Sequence, residues 1–215
     1  VTTRTGRPPR LSRAQILTAA GELIDKDGAD ALTMRRLAAR LGVTPMAVYH
    51  HVRNKEELLL LLLDEVAAGI RRPELPGNPR ERMVLAARAM HDTLVQVPWA
   101  VEVLTADDLL SPAALWYPEQ IIDGAVTCGL STEDAVYAYR TIWYYTAGEI
   151  LVRAAASRRR AADDRPTMRD KIFGSLDHSE WPRLATVADR WAELTEADIY
   201  EQGLRALIDG LLTDH

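Results

Sequence analysis

The chain has 215 residues, 47% hydrophobic and 27% charged, a size and balance that bury a core in one or two domains and exclude wholesale disorder and collagen-like or mucin-like architecture. A single cysteine, Cys128, excludes an intramolecular disulfide framework and a cysteine-rich zinc site. The formal net charge of −5 is divided unevenly. Residues 1–60 hold ten Lys/Arg and six Asp/Glu, a net +4, whereas residues 61–215 hold sixteen and twenty-five, a net −9. A small basic module attractive to a polyanion is thus joined to a larger acidic one, although a solvated surface alone can carry +4. Arg4, Arg7 and Arg10 are not followed by an apolar stretch of signal-peptide type, and the longest purely apolar run, Leu58–Leu63, has six residues against the roughly 20 that cross a bilayer. A cytoplasmic protein with no membrane partner is expected.

Residues 1–10, VTTRTGRPPR, read as a flexible basic arm. Ser12 then caps a helix of about 14 residues in which Ile16, Leu17, Ala20, Leu23 and Ile24 recur at helical spacing, closed by Gly28. Thr33 caps a second helix with Leu37, Ala38 and Leu41 inward, ended by Gly42; Thr44 and Pro45 restart a very short third one. Asn54 with Glu57 resembles a capping box and opens a fourth helix to about Arg71. The segment RRPELPGNPR, 71–80, holds three prolines and a glycine and is the best domain boundary. Further helices are expected near 81–97, 99–106, 112–128 and 132–157, the last capped by Ser131 or Thr132. SRRRAADDRP, 157–166, is expected to be a mobile loop, followed by helices near 179–191 and 195–212. No strand alternation and no internal repeat is visible. The fold class is all-α, with about nine or ten helices.

The run LTMRRLAARLGVTPMAVYHHVRNKEELL, Leu32–Leu59, places a helix, a glycine turn and a second short helix in succession. Thr44, Met46, Ala47, Tyr49 and His50 or His51 are available to a groove, while Leu37, Ala38, Leu41, Val43 and Val48 lock the pair. Such a unit suits the major groove of B-form DNA. Through this run, with Thr33, Ala38, Gly42, Val43, Tyr49, His51, Val52, Lys55 and Leu58 in matching register, the chain resembles the TetR family of transcriptional repressors. The resemblance extends from Ser12 to about Glu65, and the acidic remainder is similar to that family's ligand-binding and dimerisation domain, most like the tetracycline-repressor subclass.

The resemblance implies a helix-turn-helix DNA-binding domain at 11–57, a connecting helix at 58–72 and a ligand-binding and dimerisation domain at 73–215. It also implies that Arg35 reaches a base edge, with a surface arginine as the bland reading. Pro45, Met46 and Ala47 match variable reading positions. Their apolar character departs from the glutamine and threonine of the tetracycline repressor and favours thymine-methyl contacts over bidentate hydrogen bonds. Tyr49, His51 and Lys55 match phosphate-gripping positions. Core packing is the other reading of Tyr49, and His50 either faces the groove or sits passively in the turn. Adjacent His50 and His51 do not converge on one ion, so no metal site is expected. Arg4, Arg7 and Arg10 either enter a minor groove or merely solubilise the arm.

In the carboxy-terminal part, Trp99, Trp116, Tyr117, Tyr137, Tyr139, Trp143, Tyr144 and Tyr145, with Met90, His91, Leu94, Leu104, Leu109, Ile121 and Val126, form either a cavity lining or a plain aromatic core. His91, Arg140 and Glu149 fall in or beside apolar stretches, where they orient a ligand or satisfy one another. The candidate ligand-binding set is His91, Leu94, Trp99, Trp116, Arg140, Trp143, Tyr144 and Glu149. The tetracycline repressor's histidine and carboxylate constellation for a magnesium chelate has no clear counterpart, so no cofactor is expected. A palindromic operator calls for a homodimer, through the helices near 132–157 and 195–212. Leu58–Leu63, apolar around its whole circumference, reads as the core junction between modules. No GxSxG, phosphate-cradling loop, HExxH or Cys/His pairing gives catalytic geometry, so an enzyme is not expected. The reading is a repressor of double-stranded operator DNA released by a small-molecule effector. Ligand-independent or co-repressor-dependent regulation, and a structural or adaptor dimer, are the alternatives.

Overall fold

A computed structural model describes residues 11–70, 72–106, 109–163 and 165–213; the basic arm lies outside them. Among the described residues are twelve α-helices, three short 3-10 turns and no strand.

The first helix, α1 (Arg13–Asp27), starts from a reciprocal cap: Ser12 Oγ accepts the Gln15 N–H at 3.2 Å and Gln15 Oε1 accepts the Ser12 N–H at 2.9 Å. In α2 (Met34–Leu41) the Thr33 hydroxyl accepts the Arg36 N–H at 3.1 Å. The helix stops at Gly42, whose left-handed backbone, φ 66° and ψ 28°, lets the Val43 N–H return to the Ala38 carbonyl at 3.0 Å. A side chain there is strained, which is why the turn carries glycine. Thr44 and Pro45 begin α3 (Pro45–Tyr49), with Thr44 Oγ1 accepting from the Ala47 N–H. Asn54 opens α4 (Lys55–Ala68) by accepting the Glu57 N–H at 2.7 Å, and Glu57 Oε2 accepts the Arg53 N–H at 2.6 Å.

After an irregular stretch the body follows: α5 (Pro79–Leu94), α6 (Pro98–Ala106), a 3-10 turn (Pro112–Leu115), α7 (Trp116–Thr127), α8 (Thr132–Ala162), α9 (Met168–Phe173), α10 (Pro182–Ala185), a second turn (Ala188–Arg190), α11 (Trp191–Glu196) and α12 (Tyr200–Thr213). Several boundaries differ from the sequence expectation. α4 ends at Ala68, short of Arg71, and α5 starts earlier because Pro79 suits a first helical position and Asn78 accepts the Glu81 N–H. It also stops at Leu94, since Val97 precedes a proline and is pushed from helical geometry. The expected helix at 112–128 opens as a 3-10 turn.

The largest correction concerns 157–166, expected as a mobile loop. α8 continues through it to Ala162, because Arg and Ala are strong helix formers, basic side chains favour a helix carboxy-terminus, and Arg158 and Arg160 pair with Glu102 and Glu196. The expected helix at 179–191 breaks into α10, a turn and α11, with Pro182 opening α10. α12 begins at Tyr200, where Asp198 Oδ1 accepts the Tyr200 N–H at 3.2 Å. The six-residue α9 was not expected, although its Thr167/Asp170 capping box stands in the sequence.

Helices α5, α7, α8 and α12 form the core of the body. Arg205 of α12 grips Glu81 of α5 at 2.7 and 3.0 Å. Gly124 of α7 marks the closest approach to α5: an added Cβ would meet Met83 Cγ at 2.5 Å and the Pro79 carbonyl oxygen at 2.9 Å. One obstacle is backbone and cannot swing aside. Gly124→Ala is therefore expected to destabilise by about 1–3 kcal/mol, seen as a lowered thermal midpoint. Gly21→Ala, where a Cβ meets nothing within 4 Å, should instead hold or gain stability through helix propensity.

Candidate functional site

Two sites hold the expected DNA-contact residues and two of the expected ligand residues. On the amino-terminal head, α3 buries one side chain, Val48, which is 0% exposed. That anchor turns the rest of the segment outward: Met46 is 65% and Tyr49 44% exposed, and Thr44, Pro45, His50 and His51 are also exposed or partly so. Ala47 is half-buried. Arg35 is exposed on the neighbouring α2, and half-buried Lys55 opens α4. All nine expected DNA-contact residues therefore lie on α2, α3, the residues flanking α3 and the start of α4. The other α2 arginines are engaged internally, Arg36 with Asp27 at 2.6 Å and the Ala31 carbonyl at 3.0 Å, Arg40 with Glu22.

The second site is a cavity of about 270 Å³ lined by α4, α5, α6, the 109–118 segment and α8. α4 contributes Leu63, Val66 and Ala67 to its wall, with Ile70 just beyond; α5 contributes Met90, Thr93 and Leu94. Ala100 and Leu104 of α6, Leu109, Leu110, Ser111, Ala114, Tyr117 and Pro118, and Tyr139 and Trp143 of α8 complete it. Its polar groups are hydroxyls and one indole. Thr93 Oγ1 donates to the Ala89 carbonyl at 2.9 Å and lies 3.0 Å from the Tyr117 hydroxyl. Burial pushes the Tyr117 and Tyr139 phenols above their ordinary values. Ser111, itself buried, donates to Asp64 Oδ1 of α4 at 2.6 Å and accepts the Ala113 N–H at 3.2 Å.

Of the eight expected ligand residues, Leu94 and Trp143 line this cavity. His91 and Glu149 do not line it. They form a separate junction of α5, α8 and α12: His91 Nε2 is 3.0 Å from Glu149 Oε2, Nδ1 is 3.2 Å from Asp92 Oδ1, and Arg153 pairs with Glu149. The His91 ring stacks on Tyr200 at 3.8 Å, and the Tyr200 hydroxyl meets Thr146 Oγ1 at 2.8 Å. Trp99 is buried in the core. Trp116 stands edge-on to Tyr117 at 5.3 Å. Arg140 lies over the Tyr137 and Tyr144 rings on the outer face of α8, where Tyr144 is 63% exposed. The α4 wall was missed as a lining, although the run Leu58–Leu63 signalled that this helix has a second face to cover. Among the described residues no cluster of three or more His, Cys, Asp or Glu is placed to hold a metal, and no helix is long and apolar enough to cross a membrane.

A helix-turn-helix head continued by one helix into the wall of an apolar cavity matches known proteins over nearly the whole chain. Residues 16–62 match bacterial regulatory proteins of the tetR family, and residues 72–214 the tetracyclin repressor-like C-terminal domain. The chain belongs to the tetR family. This tetR-family member is thus a DNA-binding helix-turn-helix protein of transcription regulation, from a family of regulators rather than enzymes. It is similar to the HTH-type transcriptional repressor DrrR1 of Streptomyces coeruleorubidus, 29% identical over 218 residues that cover 96% of this chain and 79% of the relative. Among solved structures, ActR of Streptomyces coelicolor in complex with actinorhodin superposes with a TM-score of 0.74 at 28% identity, covering 97% of this chain and 98% of that one. BioQ with its double-stranded DNA operator gives 0.64 at 27% identity, covering 95% and 99%.

Proposed function

We propose that the protein is a homodimeric repressor that binds a palindromic operator through its two heads and releases it when a small molecule enters the body cavity. The observation that carries this reading is the double role of α4. Its first two turns bury Leu58 and Leu59, and Leu63, Val66 and Ala67 wall the cavity. A ligand preferring one position of this helix changes DNA affinity by its difference in affinity for the two arrangements.

In this reading residues 11–57 are the reading head, 58–72 the connector and 73–215 the effector and dimerisation domain, and the protein acts in the cytoplasm. Met46 and Ala47 meet thymine methyl groups, Arg35 meets a base edge, and Tyr49, His51 and Lys55 hold phosphates. The outer face of α8 supports a two-fold contact: Val136, Tyr137, Tyr144 and Val152 are all exposed apolar side chains on that helix. α12 adds half-buried Leu207 and Leu211.

Selection from a randomised duplex pool by ligand-free protein tests the whole reading. A palindrome with fixed half-site spacing is expected; no enrichment by folded protein, with or without effector candidates, overturns it. On the selected duplex, Lys55→Ala should weaken binding to all sequences alike and reduce the salt slope by about 1 for each phosphate that Lys55 neutralises. Met46→Gln should instead change the preferred base. An unchanged slope for Lys55→Ala removes that residue from the phosphate contacts.

A further inference from the structure

The cavity's chemistry narrows the ligand class beyond the effector role it rests on. Among the described residues the lining holds no carboxylate, ammonium, guanidinium or imidazole group. The charged groups nearest the lining have partners of their own: Asp64 accepts from Ser111, exposed Arg72 donates to the Ala113 carbonyl, Arg88 pairs with Asp92 and Glu201, and His91 is held by Glu149 and Asp92. A charged guest would leave water for a wall whose described residues offer no counter-charge, which costs heavily. Among the described lining residues a metal chelate would meet neither an imidazole nor a carboxylate.

The hydroxyls define what a neutral guest can offer. Thr93 gives its proton to the Ala89 carbonyl, and the Tyr117 proton has Thr93 Oγ1 at 3.0 Å and the same carbonyl at 3.3 Å as acceptors. The Ser111 proton is committed to Asp64, and its oxygen accepts the Ala113 N–H. Both protons of the Thr93–Tyr117 pair are engaged within the protein, so the pair faces a guest as a hydrogen-bond acceptor. We propose that the cavity takes an uncharged, largely apolar molecule carrying one hydrogen-bond donor for the Tyr117 oxygen, and does not take anions or metal chelates.

Three fluorescent probes on the full-length protein test this: neutral Nile red, anionic 8-anilinonaphthalene-1-sulfonate, and tetracycline with magnesium. Saturable Nile red binding is expected, roughly tenfold or more tighter than either other probe, a difference of about 1.4 kcal/mol or more. Ala114→Trp, at a lining position, should weaken it about tenfold or more by filling the space, with an unchanged circular dichroism spectrum. Leu110→Arg, at the exposed rim where a charge stays in water, is expected to keep the parent thermal midpoint and to strengthen binding of the anionic dye selectively. The ligand class is overturned if the anionic dye or the chelate binds as tightly as Nile red in a manner sensitive to Ala114→Trp, or if no probe binds. Operator release is scored separately. A neutral probe that occupies the cavity without releasing DNA leaves the ligand class standing and removes the release mechanism; an anionic probe that releases DNA from the cavity does the reverse.

Discussion

Replacing Tyr200 by alanine is expected to cost about 3–5 kcal/mol of stability, as for other large buried aromatics. At roughly 2–4 °C per kcal/mol for a chain of this size, the thermal midpoint falls by about 6–20 °C. Tyr200 is 1% exposed and joins three helices: it stacks on His91 of α5, lies 5.4 Å from the Tyr145 ring of α8 and anchors the start of α12. Deleting the ring opens a void where no neighbour can relax freely, and exposes the flank of the His91–Glu149 pair. Tyr200→Phe separates ring from hydroxyl. It keeps both stacks and loses the bond to Thr146, whose own hydroxyl still donates to the Ile142 carbonyl at 2.8 Å, so a loss of only about 1 kcal/mol is expected. Thermal unfolding followed by circular dichroism checks both. Equal losses in the two variants would show that the hydroxyl, not the packed ring, holds the junction.

Ser111→Ala is expected to uncouple cavity from head. Its hydroxyl, 2.6 Å from Asp64 Oδ1, makes a charge-assisted bond between the cavity's 109–118 wall and the helix that continues into the head. Such bonds are worth about 1.5–3 kcal/mol, within the usual range of allosteric coupling of roughly 5–150-fold. Ligand-free operator affinity and Nile red affinity should stay within about threefold of the parent, while release of operator by a saturating neutral ligand falls about fivefold or more. Asp64→Asn, whose amide oxygen still accepts, should fall between. Operator-binding titrations with and without ligand check this, and undiminished release by Ser111→Ala would assign the coupling to the apolar α4 contacts alone.

The head was legible in the sequence nearly residue by residue. Ser12, Thr33, Thr44 and Asn54 all cap where their side chains allow, Gly42 turns where only glycine is unstrained, and Val48 is the single anchor that fixes which side chains of α3 face outward. These are local effects, decided within four residues of chain. The body was legible as helices but not as a site. Leu94 and Trp143 were read as cavity lining or plain core, and helical spacing could not say which helix faces meet. His91 and Glu149 looked like ligand groups because a buried polar residue demands a partner. That the partners are each other, Asp92 and Arg153 depends on residues up to 58 positions apart in the chain.

By itself, then, the sequence determined an all-helical chain, a helix-turn-helix head with its outward residues, and a junction helix too apolar to stand alone, since caps, turns and periodicity act at short range. Only the tertiary structure decided that α4 walls a cavity, that α8 extends through the arginine-rich stretch, that Ser111 meets Asp64, and that no charged side chain among the described residues lines that cavity. Those features arise from contacts between distant segments, whose geometry is set by how helix faces pack together and not by the order of residues along any one of them.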